Sequence, residues 1–364
     1  MREMLAAVRV DRRQLVSPLF VCGGSGVRRE IASMPGVARQ SVDVALETVS
    51  AWSDAGLGAV LLFGVPDRKD AQGSSAWDDG GAVQELTRRI KRRWPAMIVM
   101  TDVCLCEYTD HGHCGVLSQR DAGVPPALCV PLAGSMEDAE SSSPTGAGNP
   151  SLLRSVVARM PAGHEGETPS SCEMAMDVDN DATLPLLSRV AVSHARAGAD
   201  VVAPSAMMDG QVAAIRAALD DVAFVQTAIM SYAVKFASCL YGPFREAVTS
   251  VPSSGDRRTY QMDPRSPRQA ASEARQDIEQ GADILMVKPA ATYLDVIAEI
   301  RRQFDAPLAA YHVSGEYSAI KAAARLGWLD EKAAAMEVTA AIARAGADLI
   351  ITYFAPQLAA WLAE

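Results

Sequence analysis

Glu279-Gln280-Gly281-Ala282-Asp283-Ile284-Leu285-Met286-Val287-Lys288-Pro289 reads as the end of a helix, a turn, an apolar strand and a lysine where the strand stops. Glycine supplies the left-handed cap that closes a helix before a strand begins. The same punctuation recurs at Ala197-Gly198-Ala199-Asp200 and at Ala345-Gly346-Ala347-Asp348. Working outward, short apolar or β-branched runs fall at Leu15–Val21, Ala59–Val65, Met97–Val103, Val201–Pro204, Val225–Tyr232, Ile284–Val287, Pro307–Val313 and Leu349–Tyr353. Between them, segments such as Ser41–Ala55, Ala182–Ala197, Ala270–Gln280, Tyr293–Phe304 and Glu331–Ala345 carry apolar residues at helical spacing. Eight strands alternating with helices predict a (β/α)8 (TIM) barrel, one α/β domain over residues 1–364 with a short N-terminal arm. An open doubly wound sheet fits part of the rhythm, but no Gly-x-Gly-x-x-Gly follows the first strand.

One region breaks the alternation. Ser118 to Asp177 holds Pro125-Pro126, Ser141-Ser142-Ser143-Pro144 and Gly146–Pro150, with little periodicity outside Leu152–Met160, and reads as a long, mobile insertion after the third strand. Its Cys129, Cys172 and His164 are too widely spaced to suggest a second metal site.

The formal charge of −10 argues against nucleic acid or an anionic membrane as partner, because both need clustered Lys and Arg. Met1 to Leu15 lack the apolar core of a signal peptide, and no later stretch approaches a membrane span, so a cytoplasmic protein acting on a small molecule is expected. Seven cysteines, three of them between positions 104 and 114, do not read as a secreted disulfide framework.

That cluster lies in Asp102-Val103-Cys104-Leu105-Cys106-Glu107-Tyr108-Thr109-Asp110-His111-Gly112-His113-Cys114, at the end of the third strand. A turn through Gly112 would bring Cys114 round to Cys104 and Cys106. Three soft thiolates suit Zn²⁺ and leave a fourth position for water or substrate. Buried, unliganded thiols are the plainer alternative. His111 and His113 are either outer partners of these ligands or ordinary loop residues.

Two lysines end neighbouring strands, Lys235 after Ile229–Tyr232 and Lys288 after Ile284–Val287, on the barrel's catalytic face. Burial and a second ammonium both favour the neutral amine, which attacks ketones. Either lysine alone would read as a strand-end side chain reaching for solvent. On the same face come Ser205, Tyr241, Arg245, Arg257, Gln261, Ser314 and Tyr353. Arginine forks suit a carboxylate. The long basic segment at 236–260 fits a lid over an anionic substrate.

These residues carry a resemblance. Asp102–Leu117, Met230–Ala247, Gly255–Pro264, Met286–Ala290, Val313–Tyr317, Leu349–Phe354, Ser33–Arg39 and Leu62–Pro66 resemble the porphobilinogen synthase (5-aminolevulinate dehydratase) family, zinc-dependent type, over nearly the whole chain outside the insertion. The resemblance implies condensation of two 5-aminolevulinate molecules for tetrapyrrole (heme) synthesis. Lys288 would hold the first, P-side substrate as a Schiff base and Lys235 the second, A-side one. Zinc on Cys104, Cys106 and Cys114 would act as a Lewis acid at the A-side molecule. Arg245, Arg257 and Gln261 would hold the A-side carboxylate, and Ser314 and Tyr353 the P-side one, with Ser205, Tyr241 and Asp102 lining the pocket. Glu273 falls where some members place a carboxylate for an allosteric Mg²⁺. A homo-oligomer is implied, an octamer or a hexamer/dimer, although the N-terminal arm is short for the family. Two positions depart from the pattern: Ala206 and Gln211 stand where the family typically has Asp and Arg. Two other readings are a class I aldolase-like lyase, which needs one amine and no zinc, and a catalytically silent zinc-binding relative.

Overall fold

The computed structural model describes residues 5–119 and 176–364. In chain order its elements are β1 (Leu15–Cys22), β2 (Arg28–Glu30), β3 (Ala38–Ser41), α1 (Val42–Asp54), β4 (Ala59–Val65), α2 (Ala82–Arg93), β5 (Ile98–Val103), β6 (Val116–Gln119), β7 (Met176–Asp179), α3 (Asn180–Ala197), β8 (Val201–Pro204) and α4 (Gln211–Asp221). They continue with β9 (Ala228–Lys235), α5 (Gly242–Val248), α6 (Arg268–Glu279), β10 (Ile284–Lys288), α7 (Leu294–Gln303), β11 (Leu308–His312), α8 (Ser314–Arg325), α9 (Glu331–Ala345), β12 (Leu349–Thr352) and α10 (Ala355–Trp361). The strands β1-β4-β5-β8-β9-β10-β11-β12 run parallel, and β12 returns to pair with β1, so the ring closes as a (β/α)8 barrel. Covered by helices outside and side chains inside, such strands are apolar throughout; every residue of β1 and β4 is buried.

The repeated Gly-Ala-Asp does two jobs. Gly198, Gly281 and Gly346 take φ of +99°, +102° and +120°, conformations open to glycine and costly for other residues. The aspartate that follows accepts an amide from the first or second residue of the neighbouring strand: Asp200 from Val99, Asp283 from Ile229 and Asp348 from Leu308, each at 2.8 Å. That bond satisfies an otherwise unpaired donor at the barrel's closed end and fixes strand register.

The structure corrects two boundaries. The strand expected at Val225–Tyr232 runs instead over Ala228–Lys235, because Phe224 to Thr227 forms a turn and Val225 lies 60% exposed. Lys235 is therefore the last residue of β9 and not a residue beyond it. The segment 236–260, expected as a lid with no element of its own named, contains a short 3-10 turn at Cys239–Tyr241 and helix α5. Apolar patterning also gave no sign of β2 and β3, an antiparallel pair that lies beside the second half of β1. The segment expected as a mobile insertion, with Cys129, His164 and Cys172, lies almost wholly outside the described residues. Among the described residues no helix is long and apolar enough to cross a membrane.

Candidate active site

Lys235 and Lys288 are direct partners in the parallel register of β9 and β10, and both are buried. The register slips between Leu285 and Val287. An irregularity of this kind lets residues an odd number apart face the same way. Tyr232 and Lys235 do so: the Tyr232 ring lies 5.5 Å from Lys235 Nζ and 5.0 Å from Lys288 Nζ. Three more rings surround Lys288 Nζ, those of Tyr311 at 4.3 Å, Tyr241 at 5.2 Å and Phe244 at 5.3 Å. Burial, reinforced by the charge of Lys235, brings Lys288 down to a pKa of about 7, against the opposing pull of Asp102.

Asp102 is the penultimate residue of β5. Its Oδ2 accepts from Ser205 Oγ at 3.1 Å, while the Ser205 carbonyl accepts from Lys235 Nζ at 2.5 Å. Burial, then the nearby Glu107 carboxylate, raise Asp102 to about 8, although Lys235 and Lys288 pull the other way. Near neutral pH the pocket thus offers a partly neutral amine and a protonated carboxyl, a nucleophile with an acid at hand. Tyr241 Oη donates to the Phe236 carbonyl at 2.7 Å and to that of Lys288 at 3.3 Å, so it ties the segment after β9 to the end of β10.

Where β5 runs out, Cys104 and Cys106 bring their sulfurs to 3.4 Å. Gly112, at φ +73°, turns the loop so that Cys114 returns to them. The three ligand atoms lie within 4.8 Å of one another, and all three residues are buried free thiols. Hydrogen bonds from Cys104 and Cys106 hold the Cys114 thiol well below its ordinary range, whereas burial pushes Cys104 up. One ready thiolate beside two more sulfurs fits a thiophilic metal ion, so the chain has a possible metal site here. Asp102, Cys104 and Glu107 also converge within 4.8 Å. Glu107 Oε2 is buried and has no partner among the described residues.

A cleft of about 590 Å³ opens beside this centre, lined by Arg245 from α5 and by Arg257 and Gln261 from the segment before α6. Arg245 Nε, Arg257 Nε and both polar atoms of Gln261 are buried without a partner among the described residues. Leaving such groups unpaired costs about 1–3 kcal/mol each. The three donors among them, Arg245 Nε, Arg257 Nε and Gln261 Nε2, suit an anion with several acceptors, such as a carboxylate.

The remaining expected residues are spread more widely. Tyr353 Oη lies 3.1 Å from Tyr311 Oη, which brings it to the ring cage of Lys288. Ser314 Oγ is already engaged, accepting from Phe244 N at 3.0 Å and donating to the Leu240 carbonyl at 3.2 Å. Glu273 sits apart on α6, in a small recess with Asp209 and Asp277. Burial raises it there. Ala206 is fully buried among apolar groups such as Val103 and Val212. Gln211, also buried, reaches back to Met208 N at 3.5 Å. Sequence reasoning missed the rings of Tyr232, Tyr311 and Phe244, and also Lys69, whose Nζ holds the carbonyls of Val248 and Thr249 at the end of α5. Glu107 adjoins Cys106 in sequence, and that neighbour could have flagged it.

With this geometry in view, the comparisons with known proteins agree. The profile of the delta-aminolevulinic acid dehydratase family matches residues 1–141 and 160–361. The delta-aminolevulinic acid dehydratase of Halalkalibacterium halodurans is 44% identical over 100% of this chain and 94% of its own length. That of Methanothermobacter thermautotrophicus is 46% identical over 98% of this chain and 92% of its own length. Among solved structures, the Toxoplasma gondii delta-aminolevulinic acid dehydratase (porphobilinogen synthase), crystallised with its reaction product porphobilinogen, aligns with a TM-score of 0.82 at 35% identity. It covers 99% of this chain and 88% of that one. A closed barrel with paired lysines at its mouth, matched in sequence from end to end, makes this chain a member of the delta-aminolevulinic acid dehydratase family.

Proposed function

We propose that this lyase of tetrapyrrole biosynthesis joins two 5-aminolevulinate molecules into porphobilinogen through imines on Lys288 and Lys235. The observation that carries the reading is the lysine pair itself, in register on adjacent strands, with Lys288 caged by aromatic rings and brought down to about 7. A neutral Lys288 amine attacks the ketone of the first substrate. The resulting carbinolamine takes a proton at its hydroxyl, loses water and leaves the imine; Asp102, held protonated by burial, is the acid closest at hand. Ser314 and Tyr353 hold the carboxylate of this first molecule. Lys235 receives the second ketone, and Ser205 and Asp102 orient the amine through the bonds that join them. Tyr241 shapes the pocket from above Lys288. Arg245, Arg257 and Gln261 take the second carboxylate, which supplies acceptors for the unpaired donors Arg245 Nε, Arg257 Nε and Gln261 Nε2. Joining the molecules by one C–C and one C–N bond releases two waters in all, so a site that excludes bulk water favours the product.

We assign zinc to Cys104, Cys106 and Cys114; when bound it supplies Lewis acidity beside the second substrate. The segment 236–260 acts as the lid. Glu273, with Asp209 and Asp277, is the place for a largely hydrated Mg²⁺ as regulator. A cytoplasmic homo-oligomer is the working state, and the net charge of −10 gives no support to nucleic acid or anionic membrane as partners. Reductive trapping tests the roles. Borohydride added during turnover should fix substrate on Lys288, and at higher substrate also on Lys235. Absence of adduct on both lysines would exclude the imine mechanism.

A further inference from the structure

The loop that returns Cys114 to the other thiols is bonded along its length to residues 249–262, the stretch between α5 and α6. Ser253 N donates to the His111 carbonyl at 3.0 Å. Arg257 Nη2 donates to the Gly112 carbonyl at 2.7 Å. At Gly112 itself the two backbones touch, because a Cβ there would fall 2.7 Å from the Val251 carbonyl oxygen.

The contacts around His113 are directional. His113 Nε2 faces the Ser254 carbonyl at 2.9 Å, and a carbonyl only accepts, so this nitrogen carries the proton. In the neutral ring Nδ1 is then the acceptor, and it takes the Tyr260 hydroxyl at 3.1 Å. Tyr260 Oη in turn accepts from Cys114 N at 3.4 Å. A single chain of donors therefore runs from the Cys114 amide through Tyr260 and His113 to the backbone at Ser254. The stretch it reaches also carries Arg257 and Gln261, which line the cleft and hold buried polar atoms without a partner among the described residues.

We infer that Tyr260 and His113 couple metal seating at Cys114 to closure of the 249–262 segment, so that one event both completes the thiolate site and sets the arginine–glutamine end of the substrate cleft. Cys104 directly follows the last residue of β5 and Cys106 lies two residues further on, whereas Cys114 is returned to them by the rest of the loop and is the ligand best placed to transmit a change. Loss of the metal releases Cys114, and the bonds through Tyr260 and His113 lose their fixed end. Tyr260 and His113 act as positioning residues and touch no substrate. The inference rests on the metal reading above.

Amide hydrogen exchange of the full chain, with zinc and after chelation, tests it by a readout other than activity. Chelation should speed exchange over residues 249–258 by about ten-fold or more, while peptides from α9 stay unchanged. In Tyr260→Phe, which keeps the ring and removes the hydroxyl, zinc should still bind stoichiometrically but exchange over 249–258 should be fast with or without it. His113→Ala breaks the same chain at its other member and should give the same result if Tyr260→Phe folds poorly. Zinc that binds and leaves without altering exchange in the unmodified protein would overturn the coupling and leave the metal site standing. Variants that keep the full zinc dependence would overturn the roles of Tyr260 and His113. Failure of the chain to take up zinc at all would overturn the coupling together with the metal reading.

Discussion

Moving the pH across neutrality should switch the nucleophile of this pocket. With Lys288 at about 7, roughly one-tenth of the amine is neutral at pH 6, half at pH 7 and about nine-tenths at pH 8. An ordinary lysine near 10.4 has only about 0.04% neutral amine at pH 7, so the cage supplies on the order of a thousand-fold more nucleophile. The assay is rapid mixing with 5-aminolevulinate, a borohydride quench and peptide mapping of the adduct. The initial rate on Lys288 should climb about five-fold from pH 6 to a broad maximum between about pH 7 and 8, and fall above it as Asp102 loses the proton that imine formation needs. A rate that still rises about ten-fold per pH unit from 8 to 9 would show an unperturbed amine and refute the argument. The same shift bears on stability. Here the folded pKa lies below the unfolded one, so between pH 7 and about 10.4 the unfolded chain holds the proton that the folded chain has released, and stability rises with pH. Below pH 7 the fold carries the full cost of a buried ammonium, on the order of 4–5 kcal/mol. Lys288→Met should therefore be inactive yet more resistant to urea at pH 6, with the gap closing as pH approaches 10.

Other sites give independent tests. Arg245→Gln should raise KM for 5-aminolevulinate by about ten-fold or more with a smaller change in kcat, as loss of a charge-assisted bond worth about 1.5–3 kcal/mol requires; steady-state kinetics decides. Gly64→Ala should lower stability by about 1–3 kcal/mol, since its Cβ would fall 1.9 Å from Tyr108 Oη, and the shifted tyrosine should weaken metal retention; urea melts and metal analysis read both. His194 is buried with neither ring nitrogen partnered among the described residues, and burial alone brings it to about 3. Its folded pKa is depressed, so the fold loses stability as pH falls from about 6.5 towards 3, and His194→Leu should shift the acid-unfolding midpoint to lower pH by circular dichroism.

Much of the barrel was legible because a few residues have little choice. Glycine is needed where a helix ends at positive φ, and the aspartate after it serves the next strand, so three copies of Gly-Ala-Asp mark three helix-to-strand passages. The start of β9 was misplaced because Val225 has strand-forming chemistry but sits in an exposed turn. The lysines and cysteines stood out by residue type and by their place at strand ends. The ring cage did not, because an irregularity in β9 and β10 that no pattern announces turns Tyr232 to the same side as Lys235. Nor did the pairing of His113 with Tyr260, which lie 147 residues apart and meet only once the barrel has closed.

The most direct test of the account is porphobilinogen formation from 5-aminolevulinate by the purified protein, with zinc, after chelation, and in Lys288→Ala. The account requires product with zinc, loss on chelation with recovery when zinc returns, and none from the variant. Product that persists after complete chelation would contradict the metal assignment, and product from Lys288→Ala would contradict the lysine chemistry on which the whole reading rests.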